Sequence, residues 1–212
     1  MRRLLTLAAT FAALTLLMPQ IGQTQTFESQ LGIYSDQVGT PSAANYVATP
    51  NMAFYAYLVL TDPVNDSFDG ATGTARPITM VDGYECRVNM PEGDGFFNLG
   101  ITYPAQALNL ALPPDYVVGF ATSVPVVGNA VVLCSWNLMV SDNEQQDITM
   151  NLTRFPSLAG TMSIVDGEDP QDPLVPVYVS TNNFAVPVFS INGDAAIAVD
   201  DASWGDVKAL FR

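Results

Sequence analysis

The stretch YECRVNM alternates without a break, with Tyr84, Cys86, Val88 and Met90 on one side and Glu85, Arg87 and Asn89 on the other. Period two is the geometry of a strand that buries one face. DITMNLTRF repeats it, setting Ile148, Met150 and Leu152 against Thr149, Asn151 and Thr153. AFYAYLVLT from Ala53 and AVVLCSWNLMV from Ala130 are apolar on both faces and read as central strands. Shorter strands are predicted at LGIY, FFNLGITY, LNLAL, YVVGFAT, TMSIV, VPVYVS and AVPVFSI. Turn signals such as Asp82-Gly83, Pro113-Pro114 and Asp166-Gly167 separate them. Many short strands at this spacing predict an all-β fold, an antiparallel β-sandwich.

The two ends depart from that pattern. Arg2 and Arg3 precede an uncharged apolar run from Leu4 to Met18, which Pro19 breaks. This is the layout of a secretory signal peptide, assigned to residues 1–26, and the run is shorter than a membrane-crossing helix requires. The expected product is secreted, cell-surface or periplasmic, with no stable membrane insertion once the leader is gone. Residues 27–202 form the predicted sandwich domain. Residues 203–212, SWGDVKALFR, read as a short amphipathic helix capped by Ser203 and Asp206. Trp204, Val207, Leu210 and Phe211 share its apolar side, suited to docking. The preferred partner is the sandwich itself; a terminal recognition tag is the alternative.

Cys86 and Cys134 each fall on the apolar face of a strand, Cys134 within the series Val132, Cys134, Trp136, Leu138 and Val140. In an exported chain this predicts a structural disulfide through the core. The tryptophan follows the second cysteine, so the sandwich is immunoglobulin-like without the antibody Cys–Trp–Cys order.

The chain has no histidine, which removes Ser-His-Asp and Cys-His nucleophiles and histidine zinc sites. No phosphate-binding or dinucleotide fingerprint occurs. With 21 acidic against 7 basic residues the net charge is −14, and losing Arg2 and Arg3 deepens it. Such a chain is unsuited to nucleic acid. The chain reads as non-catalytic. A two-carboxylate glycoside hydrolase, using Glu85 with Glu92 or the Asp142, Glu144 and Asp147 loop, ranks third among the functional readings.

Calcium is the one cofactor these residue types suggest. Asp166, Glu168, Asp169 and Asp172 share one turn-rich loop, and Asp62, Asn65, Asp66 and Asp69 another. The second begins like an EF-hand at Asn65, Ser67, Asp69 and Gly70, but Arg76 stands where the bidentate glutamate belongs. Solvated acidic turns are the preferred reading of both loops. Tyr55, Tyr57, Phe96, Phe97 and Tyr103 offer either sugar-stacking rings or strand packing, and packing takes precedence. Two N-x-[ST] sequons occur, at Asn65 and Asn151.

LGIYSD, AYLVLTDP, GYECRVNMP, TYPAQALNLALPPDYVVGFATSVP, VVLCSWNLMV, PVFSING and WGDVKALFR, in that order, resemble a group of uncharacterised exported bacterial proteins. Their central strand pattern is similar to that of cohesin-like sandwiches, which serve as docking modules. The resemblance implies an extracellular interaction module whose partner is a protein or a glycan. It brings no catalytic residues with it. A carbohydrate-binding or calcium-stabilised, polysaccharide-associated protein is the alternative.

Overall fold

The computed structural model describes residues 29–65, 75–170 and 174–193. The predicted leader, the C-terminal helix with Trp204, Val207, Leu210 and Phe211, and Asp66, Asp69 and Asp172 lie outside the described residues.

Fourteen strands follow one another among the described residues. They are β1 (Gln30–Tyr34), β2 (Asn45–Tyr46), β3 (Ala53–Thr61), β4 (Val64–Asn65), β5 (Arg76–Pro77), β6 (Met80–Asn89) and β7 (Phe96–Thr102). The series continues with β8 (Ala107–Asn109), β9 (Asp115–Pro125), β10 (Ala130–Val140), β11 (Gln146–Asn151), β12 (Met162–Asp166), β13 (Leu174–Val179) and β14 (Phe189–Ile191). A single 3-10 turn, Pro41–Ala44, is the helical element among them.

One layer of the sandwich runs β7-β10-β3-β1, and the other runs β8-β9-β6-β12-β13. β11, paired to the end of β6, carries β14 and then β2. Pairing is antiparallel except at β1–β13 and β14–β2, which are parallel. The β1–β13 pair joins the first strand of the domain to a late one and links the two layers along that side. β7 and β8 end the opposite sides of their layers, with their outer edges unpaired among the described residues.

The core forms between the layers as the alternation requires. From β3 come Phe54, Ala56, Leu58 and Leu60; from β6, Tyr84, Cys86 and Val88; from β10, Cys134, Trp136, Leu138 and Val140. Ala56 lies opposite Trp136, so a small side chain faces the fully buried indole. The Trp136 Nε1–H donates to Tyr116 Oη at 3.4 Å, and the two rings meet edge to face at 5.9 Å. Burial of this ring pair across the layers holds them together, with the indole's polar atom satisfied.

Two local departures have physical causes. Val132 does not share the Cys134 face: a bulge between Val132 and Cys134 shifts the phase, so Val131 and Leu133 are buried and Val132 is not. One inserted residue moves every side chain before it to the other face. Asp82-Gly83, read as a turn, lies inside β6, where the pairing with β9 shifts register. A Cβ on Gly83 would stand 2.5 Å from the Val118 carbonyl oxygen, so the glycine admits a close-lying β9.

Cys86 and Cys134 are both fully buried, and the structure holds them as free thiols rather than as the expected disulfide. Burial pushes the Cys134 thiol up to about 12. It also pushes Cys86 well above its ordinary range, helped by the nearby Cys134. Disulfide formation proceeds through a thiolate, and this interior disfavours it.

Candidate interaction surface

The acidic loops come together, though not around an empty cavity. Asp166 ends β12 with its side chain fully buried. Its Oδ2 accepts from Asn65 Nδ2 at 2.9 Å and pairs with the Arg76 guanidinium, while Oδ1 accepts the Glu168 backbone N–H at 3.0 Å. Glu168 pairs with the same guanidinium. A hydrogen bond from Thr79 holds its carboxyl below the ordinary range against the opposing effect of burial, with further lowering from the Arg76 hydrogen bond and charge. Arg76, the residue that breaks the EF-hand pattern, thus supplies the positive charge between the two acids. Among the described residues no group of three or more His, Cys, Asp or Glu side chains is placed to hold a metal. Of the four residues read as calcium ligands, Asp166 and Glu168 meet at Arg76. Asp169 is buried beside them, with its N–H 3.3 Å from the Asp166 carbonyl. Asn65 is fully buried, so its sequon is closed to modification in the folded domain, whereas Asn151 is exposed.

Three of the acids drafted for hydrolysis are engaged locally. Glu85 accepts from Ser157 twice, from the backbone N–H and from Oγ, both at 2.7 Å. Asp142 caps the N–H of Glu144 at 2.9 Å. Asp147 accepts from Ser190 Oγ at 2.7 Å and from Gln145. Glu92 lies on the rim of a depression of about 420 Å³ between Met90, Phe96, Asn98 and Tyr116, with no second acid lining it.

The fold also leaves large apolar side chains bare. Beyond β8 the period-two pattern continues through Leu112, and Leu108, Leu110 and Leu112 point away from the core, 64, 74 and 86% exposed. Phe155 is 82% exposed as well. Asp115 ties the two segments together: its N–H donates to the Leu112 carbonyl at 3.0 Å, and its carboxylate accepts from the Arg154 N–H at 3.3 Å. Arg87 holds that carboxylate in place through an ion pair at 3.0 Å. The Arg154 guanidinium lies over the Phe155 ring, 5.5 Å from its centre. Three exposed leucines thus lie along a strand edge that is unpaired among the described residues, and the segment carrying Arg154 and Phe155 is tied to them through Asp115. Leu110 N–H donates to Val117 O, so by alternation the backbone groups of Ala107 and Asn109 face the open side.

The sequence already contained this shelf, as LNLAL read as a weak strand. An apolar alternation says that one face is buried, and only the tertiary structure shows that nothing among the described residues covers it. The opposite layer places the aromatic candidates on two sides. Phe96 and Tyr103 pack against the core, whereas Tyr55 and Phe97 are exposed by 53 and 40%.

No family model matches the chain, and no curated protein sequence is similar to it. Among solved structures, a cohesin module from the Clostridium perfringens ATCC13124 family 33 glycoside hydrolase aligns over 72% of this chain and 98% of its own, with 12% identity and a TM-score of 0.40.

Proposed function

We propose that this chain is an exported, non-catalytic interaction module that binds an extended segment of a protein partner along β8. The leader read at residues 1–26 supports export. The observation that carries the binding reading is the exposure of Leu108, Leu110 and Leu112 beside a strand edge unpaired among the described residues, with exposed Phe155 on the segment that Asp115 ties to them. Soluble domains rarely leave such a patch open without a use for it. An added strand would take up the free backbone groups of Ala107 and Asn109 while its alternate side chains cover the leucines.

The partner's chemistry follows from the same residues. Its segment carries apolar side chains at every second position. It also carries a carboxylate to meet Arg154, which makes no ion pair among the described residues. Leucine, phenylalanine and arginine together provide the apolar anchor and the charged contact of a binding centre.

Fluorescence polarisation with labelled decapeptides tests this. Peptides with leucine at alternate positions and a glutamate flank are expected to bind at micromolar strength, and Leu110→Asp to weaken them at least tenfold. Equal affinity for scrambled peptides would contradict the proposal.

A further inference from the structure

The outer face of the other layer is a second candidate site, of different chemistry and independent of the β8 shelf. Strand register sets three cross-strand rows there: Ala53, Met139 and Phe97; Tyr55, Asn137 and Gly100; Tyr57, Ser135 and Thr102. The Tyr55 and Tyr57 rings incline by only 27°, with centres 6.3 Å apart. Tyr55 and Phe97 are exposed by 53 and 40%. Asn137, paired in register with Tyr55 and Gly100 and one row from Phe97, has a buried side-chain carbonyl oxygen with no hydrogen-bond partner. A Cβ added at Gly100, its register partner, would meet nothing within 4 Å, so that position on β7 is open.

None of these nine positions carries a charge, in a chain whose net charge is −14. An occupant of this face is therefore neutral. Near-parallel exposed rings suit the flat C–H faces of pyranose rings, which stack on aromatic side chains. An unpartnered amide carbonyl needs a hydroxyl donor, because a polar atom enclosed without one is costly. We infer that the outer face of β3, β10 and β7 binds a neutral oligosaccharide, with Tyr55, Tyr57 and Phe97 stacking on sugar rings and Asn137 accepting a hydroxyl.

Electrophoresis through gels cast with a soluble mixed-linkage β-glucan, a galactomannan, a xylan or the charged polymer alginate tests this. The full-length protein is expected to be retarded by at least one of the three neutral polymers. Tyr55→Ala and Phe97→Ala, which remove exposed rings, are each expected to weaken that retardation about tenfold in dissociation constant. Asn137→Ala is expected to weaken it without altering Trp136 fluorescence, the readout of an intact core. Leu110→Asp, on the other layer, should leave it unchanged, which separates this site from the β8 shelf. Free migration through all three neutral gels would overturn the inference. So would retardation by alginate alone, or retardation undiminished in the Tyr55→Ala/Phe97→Ala double variant.

Discussion

The Arg76 centre and the β8 shelf are both conspicuous in the sequence, one for its acids and the other for its leucines, and the fold treats them in opposite ways. At the first, Asn65, Arg76, Asp166 and Glu168 close on one another, and the buried carboxylate has its partners within the chain. At the second, Leu108, Leu110 and Leu112 receive no cover from the described residues. Residues that look functional by type become structural when the chain satisfies them internally. Residues that look like ordinary core become candidates for function when the chain leaves them bare.

The sharpest way to break that contrast is to open the closed site. Arg76→Ala strands the Asp166 carboxylate in the interior and is expected to cost about 3 kcal/mol or more, read by urea denaturation. The double variant Arg76→Ala/Asp166→Asn should recover part of the loss. A single-variant cost below about 1 kcal/mol would mean that the centre is less closed than its geometry says.

The core thiols give the next largest effect. Burial raises both folded-state pKa values above the ordinary 9.0, Cys134 to about 12. Their contribution is therefore complete below about pH 9 and lost as the pH rises toward 12, because the unfolded chain releases its thiol protons first. Thermal melts of reduced protein should fall across that window, and those of Cys86→Ala/Cys134→Ala should fall less. Refolding in a glutathione buffer exposes the thiolates before the layers close. It is expected to yield the Cys86–Cys134 bridge, seen by mass spectrometry and stabilising by ~4 kcal/mol. Recovery of two alkylatable thiols after such refolding would count against the bridge.

Smaller effects test the open site and the metal. Leu110→Asp should change stability by no more than about 0.5 kcal/mol, since its side chain already faces water. Leu138→Ala, in the core, should cost about 2–5 kcal/mol. Millimolar calcium should leave the melting temperature of the wild type unchanged, because Arg76 already occupies the space between Asp166 and Glu168 and pairs with both; a rise of several degrees would restore a metal to that end.

The extent to which the sequence was legible follows the same division. The alternation in YECRVNM and DITMNLTRF placed β6 and β11 and the buried faces of both, because burial on one face is a local, periodic demand. The Leu133 bulge and the continuation of β6 through Asp82-Gly83 were hidden, because both answer to the neighbouring strand and not to the residues themselves. Arg76 was noticed only as the residue that spoils an EF-hand; its part in closing Asp166 depends on a contact across 90 positions. The shelf was read as one more strand, since nothing local distinguishes a leucine that will be covered from one that will not.

Hydrogen exchange along β8 tests the central claim most directly. With the alternating leucine–glutamate decapeptide bound, the amides of Ala107 and Asn109, which face the open edge, should slow at least tenfold, while those already paired to β9 change little. Binding that leaves Ala107 and Asn109 exchanging at the free-protein rate would show that no strand is added there, and would contradict the account.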